Sequence, residues 1–270
     1  MFCRAALNYV TVGGAPMVRT REVDILDGRT AALPGWEECG FELVEHPSAV
    51  RDWSDDDELT SVHHPEVEAL AEKLTGCEHA LVSGHIKRGP EQARQHRDLA
   101  PITFVHSDFA PSYLDLIRGS YRRQEDEGGH AALARHGLTA DDVERASRIV
   151  ILQFWRNLGA AKMDHPIAFC DARTVRVEEG KAFPVSDYAG SGFSFEALGV
   201  CEPDEPGRHR WYAFPELRPD ETVAFRTFDT DLVRSGQTFF TPHSAFRDPE
   251  VPLCKPARRS IELRGTCIWS

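Results

Sequence analysis

Apolar positions fall into two regimes along this chain. In the first 150 residues a helical period surfaces at intervals. Val67, Leu70, Ala71 and Leu74 recur at i, i+3, i+4 and i+7, and Gly76 supplies a C-terminal stop. Tyr113, Leu116 and Ile117 share one face of a second helix that starts near Pro111. Thr139 and Asp142 have the spacing of a capping box that opens a third. Shorter apolar runs between them read as strands: Ala80-Leu81-Val82, then Ile102-Thr103-Phe104-Val105, which leads directly into His106, then the buried run 149–155. Beyond residue 160 the helical period is gone. Strand-like runs follow at 167–170, 210–214, 222–228, 237–240 and 260–269, separated by turn clusters such as Glu205-Pro206-Gly207 and Pro219-Asp220. Many short strands with turn punctuation predict a β-sandwich or jelly-roll barrel, with the helices of the first half packed on one outer face.

Composition narrows the function classes. The 270 residues are 41% hydrophobic and 27% charged, ordinary for a globular protein. A net charge of −12, with basic residues scattered, argues against nucleic acid and anionic membrane as partners. The seven cysteines (3, 39, 77, 170, 201, 254, 267) are an odd number with no C-x-x-C pair, which predicts buried reduced thiols and a cytoplasmic setting. Met1-Phe2-Cys3-Arg4 lacks the apolar core of a signal peptide, and no stretch of 18 apolar residues exists. The acidic run Asp55-Asp56-Asp57-Glu58 reads as a solvated face. Gly190-Ser191-Gly192 lacks the third glycine and the following helix of a dinucleotide loop.

Chemistry enters at His106-Ser107-Asp108. Strand alternation puts residues i and i+2 on one face, so this triplet aims an imidazole and a carboxylate together. They would be two of the three ligands in the 2-His-1-carboxylate triad of non-haem iron(II) oxygenases. Chance alone yields about two such pairs in a chain with this many histidines and acids. His64-Pro65-Glu66 and His96-Arg97-Asp98 also fit, but His106 follows an apolar run while His96 lies in a polar stretch. The third expected ligand is His243, at the mouth of the run Phe239-Phe240. Further on, Arg258-Arg259-Ser260 leads into a strand-like run. An Arg-x-Ser on one strand face offers a guanidinium fork and a hydroxyl, a pair suited to the distal carboxylate of 2-oxoglutarate. Surface charge near the C-terminus is the competing reading of the two arginines.

On these and other stretches the chain resembles the hydroxylase/desaturase-like family of iron(II)/2-oxoglutarate-dependent oxygenases, which includes the cephem hydroxylase of cephamycin biosynthesis and gibberellin desaturase-like enzymes. The similar segments span most of the chain, among them Val105-His106-Ser107-Asp108, Phe154-Trp155-Arg156-Asn157-Leu158 and Trp211-Tyr212-Ala213-Phe214-Pro215. The most specific is the tail: His243-Ser244-Ala245-Phe246-Arg247-Asp248-Pro249, then Arg258-Arg259-Ser260-Ile261-Glu262-Leu263-Arg264. One departure is Asn157, where the family usually carries proline; its loss removes a backbone constraint and restores an N–H donor.

The resemblance implies a mainly β chain, a double-stranded β-helix (jelly-roll, cupin-like) core with flanking α-helices, in a single oxygenase domain over 1–270. Residues 1–100 would form a mixed α/β segment packing on the core, and 101–270 the β-helix with a helical insertion at about 111–148. Iron(II) would sit on His106, Asp108 and His243. The cosubstrate 2-oxoglutarate would be anchored by Arg258 and Ser260, with Arg264 or Arg156 as substitutes, and Trp155 would shape the pocket. The implied reaction consumes O2, releases succinate and CO2, and hydroxylates, desaturates or cyclises a small secondary metabolite. A partner enzyme of the same pathway is a further implication, because the cephem hydroxylase works with a methyltransferase component. Two rival readings remain at this point: a zinc hydrolase on the same three ligands, and a non-catalytic β-barrel that binds a ligand or a partner.

Overall fold

A computed structural model describes residues 1–11, 17–123, 127–252 and 257–270. Its strands, in chain order, are β1 (Cys3–Val10), β2 (Val18–Asp27), β3 (Phe41–Glu45), β4 (His79–Leu81), β5 (His85–Arg88), β6 (His106–Ser107) and β7 (Arg148–Asn157). There follow β8 (Ile167–Cys170), β9 (Gly180–Val185), β10 (Phe195–Val200), β11 (Trp211–Ala213), β12 (Glu221–Asp229), β13 (His243–Ala245) and β14 (Ser260–Trp269). Among the described residues they form two sheets. One has the order β1-β2-β11-β8-β13-β6-β10-β9; the other runs β3-β12-β7-β14-β4, with β5 also paired to β14. The chain hops between sheets rather than along one, the connectivity of a jelly roll, so the expected fold class holds.

Alternation on β7 and β14 explains how the second sheet can be buried on both faces. Val150, Leu152 and Phe154, with Ile261, Leu263 and Cys267, belong to one apolar cluster with Val67, Leu70 and Ala71 of the helix His64–Thr75. The intervening positions, Gln153 and Trp155 on β7 and Ser260, Glu262 and Arg264 on β14, project to the opposite face, towards the other sheet. The helix is the one its periodicity predicts. Gly76 ends it at φ +66°, a left-handed value that glycine adopts without strain, and its N–H closes on the Glu72 carbonyl.

The helical insertion consists of Tyr113–Ser120, Glu127–His136 and Ala140–Arg145. Thr139 and Asp142 form the expected capping box, with the Thr139 N–H donating to Asp142 Oδ2 at 2.8 Å. Asp55 of the acidic run caps the short helix Asp56–Glu58, accepting from the N–H groups of Asp57 and Glu58. Of the cysteines, 3, 39, 77, 170 and 267 are buried free thiols, 201 is half-buried, and Cys254 lies outside the described residues. No helix among the described residues is long and apolar enough to cross a membrane.

Two expectations are corrected. Residues 237–240 form no strand: Phe239 and Phe240 are buried in the core, but the segment reaches the sheet only at Thr241, whose N–H meets the Arg226 carbonyl. An apolar run reports burial, and burial here comes without a ladder. The run ahead of His106 is also not a full strand. Phe104 makes an isolated bridge to Asn8, and only His106 and Ser107 join the sheet. The β1–β2 pairing carries no clear signal, because the first half of β2, Arg19 to Glu22, is exposed and polar and breaks any apolar run.

Candidate metal centre

His106 and His243 are direct cross-strand partners in the β6–β13 ladder, which places their imidazoles side by side with centroids 4.3 Å apart. Asp108, two residues after His106, returns to the same face. Its Oδ1 lies 4.0 Å from His106 Nε2 and 3.9 Å from His243 Nε2. All three side chains are buried, and their ligand atoms lie within 4.8 Å of one another.

The two imidazoles share one orientation. His106 Nδ1 is 2.8 Å from the Phe104 carbonyl and His243 Nδ1 is 3.0 Å from the Thr241 carbonyl. A carbonyl only accepts, so each Nδ1 carries the proton and each Nε2 keeps its lone pair, facing Asp108. This arrangement fixes the tautomer and ring angle of a metal-binding histidine. Gly40 supports it one layer back. Thr241 Oγ1 donates to the Gly40 carbonyl, and a Cβ on Gly40, at φ +92°, would stand 2.3 Å from that hydroxyl oxygen.

Electrostatics agree with a cation at this point. Burial, then the neighbouring His243, pushes the His106 pKa down to about 3, and burial likewise lowers that of His243 despite Asp108. Both imidazoles are therefore neutral ligands at pH 7. Burial opposes ionisation of Asp108, but Arg264 and the two histidines outweigh it and hold its pKa at about 2. Two neutral imidazoles and one carboxylate on one face of a cleft are a donor set that divalent iron or zinc accepts. The residues fit the metal.

Arg264 serves this carboxylate. Its Nη2 donates to Asp108 Oδ2 at 3.1 Å, and the guanidinium lies over the Phe109 ring. Arg264→Met is expected to release Asp108 and weaken iron(II) binding about 10- to 100-fold. The competing effect is relief of charge repulsion, which Glu262, 3.8 Å from Arg264 and 2.9 Å from Arg88, already offsets. Metal titration decides between them: a dissociation constant that stays the same or tightens removes the orienting role.

Arg258 reaches the same cleft, which also includes Arg88, Ile102, Gln153 and Glu262 beside the three ligands, while Ser260 touches it only through Arg258. Arg258 is 4% exposed, its Nε donates to Ser260 Oγ at 3.1 Å, and its guanidinium stacks on Trp155 at 4.9 Å. Among the described residues no carboxylate stands within ion-pair distance of it. Burial, followed by the charge of Arg88, lowers its pKa to about 9, so it still carries its charge at pH 7. Arg88, by contrast, is saturated by Glu262, Tyr188 and the carbonyls of Asp98 and Ala100. The space at the triad is close to 20 Å³, about one ion or water, so a five-carbon diacid enters only as lining side chains move.

The structure does not bring Arg156 to this centre. It occupies the opposite face of β7, stacks on Trp53 and donates to the carbonyls of His46 and Pro219, so the expectation that it could replace Arg258 is corrected. Asn157, next along, gives its side-chain N–H groups to the carbonyls of Gly159, Ala160 and Leu217, tying down the turn after β7. The alternative H-x-acid pairs have other partners: His64 bonds His85, and His96 accepts from the Asp98 N–H. Sequence reasoning missed Arg88, Gln153 and Glu262. The polar-apolar alternation of Ser260-Ile261-Glu262-Leu263-Arg264 was a usable signal for Glu262; Arg88 and Gln153 had none.

A family profile described as oxidoreductase/YMDC permease-like domain matches residues 14–268. The chain belongs to that family. Its curated relatives include the hydroxylase/desaturase efuI of Hormonema carpetanum, 27% identical over 97% of this chain and 89% of the relative. The alpha-ketoglutarate-dependent dioxygenase phiK of a fungal species is 26% identical over 86% and 79%. Among solved structures, the iron and alpha-ketoglutarate-dependent endoperoxidase NvfI superposes with a TM-score of 0.74, covering 99% of this chain and 98% of its own at 19% identity. That likeness concerns the fold.

Buried neutral imidazoles carry a pH consequence. His63 and His64 have their pKa lowered to about 4 and His106 to about 3, in each case by burial first. The unfolded chain binds protons on them from pH 6.5 downward while the folded one does not. Their contribution is thus complete above 6.5 and drains as pH falls towards 4. The metal-free protein is expected to lose several degrees of Tm between pH 7 and 5; a flat profile there would contradict the neutral assignment.

Proposed function

We propose that this chain is an iron(II)- and 2-oxoglutarate-dependent oxygenase acting on a small secondary metabolite, organised as one oxygenase domain over residues 1–270. The observation that carries this is a buried guanidinium, Arg258, with no carboxylate at ion-pair distance among the described residues, in the same cleft as three converging ligand atoms. Names of relatives point the same way, being hydroxylases, desaturases and alpha-ketoglutarate-dependent dioxygenases.

When bound, iron(II) and 2-oxoglutarate supply oxidative decarboxylation by O2 and the power to take hydrogen from an unactivated carbon. The chain's own part is positioning. His106, Asp108 and His243 would hold the ion. Arg264 aims the Asp108 carboxylate. Arg258, steadied by Ser260 and by the Trp155 face, receives the far carboxylate of the cosubstrate as a charge-assisted pair. Arg88 and Glu262 neutralise each other beside it, so among the described residues of this cleft Arg258 is the cation left without a carboxylate. The buried thiols fit a cytoplasmic setting, and a pathway enzyme as partner is compatible with the −12 charge.

A zinc hydrolase on the same ligands would leave Arg258 and Ser260 without a task, and a binding barrel would not need two tautomer-locked histidines on one carboxylate. Oxygen dependence separates them. Iron-loaded protein is expected to release succinate from 2-oxoglutarate only in air, slowly without substrate and faster with it. Turnover of any substrate under strict anaerobiosis, with no succinate formed in air, would overturn the proposal.

A further inference from the structure

We propose a second divalent-metal site, of the zinc type, formed by Glu72, His79 and His136. It rests on no feature of the iron centre. The three residues come from three elements: Glu72 from the last turns of the helix His64–Thr75, His79 from the start of β4, and His136 from the end of the helix Glu127–His136. One ligand atom from each lies within 4.8 Å of the others, and all three residues are half-buried, so an ion can reach them from solvent.

The donors are gathered without bonding one another. His136 Nδ1 stands 3.7 Å from Glu72 Oε1, and the His79 and His136 rings meet edge to face at 5.4 Å between centroids. Metal–nitrogen bonds of about 2.1 Å in a tetrahedral site set neighbouring donors roughly 3.4 Å apart. Small side-chain rotations therefore suffice.

The far side of His136 gives an independent indication. Its Nε2 is buried with no hydrogen-bond partner, and Glu68 Oε2 faces it at 3.4 Å. Glu68 is itself fixed by Arg135 at 2.6 and 3.0 Å and by the Val82 N–H at 2.9 Å. Because Arg135 already neutralises Glu68, that carboxylate has no need of an imidazolium. A carboxylate behind a histidine whose other nitrogen faces open donors is the arrangement metal-binding histidines use. Two imidazoles and one carboxylate suit a borderline cation such as Zn2+, with water in the fourth position. Bound there, the ion would pin the helical insertion to β4, the terminal strand of its sheet, and to the helix beneath.

The test uses the full chain and Zn2+ alone. By calorimetric titration the wild type is expected to bind two ions, one at the triad and one here. A His106→Ala/His243→Ala variant should keep one, and His79→Gln/His136→Gln should keep only the triad's. In the triad-disabled variant, saturating Zn2+ should raise Tm by about 5 °C, since only the folded state offers the site. X-ray absorption on that variant should show two imidazoles on the ion. Should the triad-disabled variant bind no zinc while its circular dichroism matches the wild type, or should His79→Gln/His136→Gln leave the stoichiometry at two, the site does not exist. Failure here leaves the oxygenase reading untouched, because the two sites are read in separate variants.

Discussion

Replacing His243 by alanine is expected to lower oxygen-dependent succinate release by at least about 100-fold and to reduce iron retention in parallel. The size of the effect follows from position. His243 is not a late addition to a preformed pair; it is the cross-strand partner of His106, and its Nε2 shares Asp108 Oδ1 with that residue. Removing it leaves one imidazole, from the short strand β6, and one carboxylate two residues further on, too few donors to hold iron(II) against water. Asp108→Ala should match it. Retained activity in either variant would place the metal elsewhere.

Arg258→Ala should act on the cosubstrate instead. Truncating one side of a buried charge-assisted pair costs about 2–4 kcal/mol, equivalent to a 30- to 1000-fold rise in KM for 2-oxoglutarate. Iron(II) affinity should barely change, and kcat at saturating cosubstrate should fall much less than kcat/KM. A stability readout distinguishes this from a structural role. Arginines in buried ion pairs destabilise strongly when removed, but Arg258 has no carboxylate partner among the described residues, only Ser260 and the Trp155 ring. Its removal relieves a desolvated charge, so Tm should hold or rise. Arg258→Lys keeps the charge but loses the fork and should fall between. A marked loss of Tm with an unchanged KM would assign Arg258 to the scaffold.

The legibility of this site in the amino-acid sequence has a physical explanation. His106 and Asp108 were readable because strand alternation is local, and Arg258 with Ser260 for the same reason. Pairing His243 with His106 was not, since it depends on β13 lying beside β6 at a sequence separation of 137 residues, a register that no local pattern encodes. Order along the chain and family resemblance supplied it. Arg156 turns on a single residue of alternation. One step along β7 separates it from Trp155, and that step reverses the face, so a correct strand with an unassigned inner side sends an arginine to the wrong place. Arg88 and Gln153 were invisible because nothing in their neighbours announces a cleft. At the fold level, β7, β8, β12 and β14 were plain from apolar runs, whereas β2 and β9 carry mostly exposed or half-buried residues and β10 is interrupted by Glu196 and Gly199. Residues 237–240 went the other way, apolar enough to read as strand yet buried without one.

Anaerobic titration with iron(II) and then 2-oxoglutarate tests the central claim most directly. A metal held by His106, Asp108 and His243 with the cosubstrate seated on Arg258 should give a visible charge-transfer band that needs both additions, disappears in His243→Ala and demands far more 2-oxoglutarate in Arg258→Ala. Absence of the band at saturating concentrations of both, or its survival in His243→Ala, would contradict it.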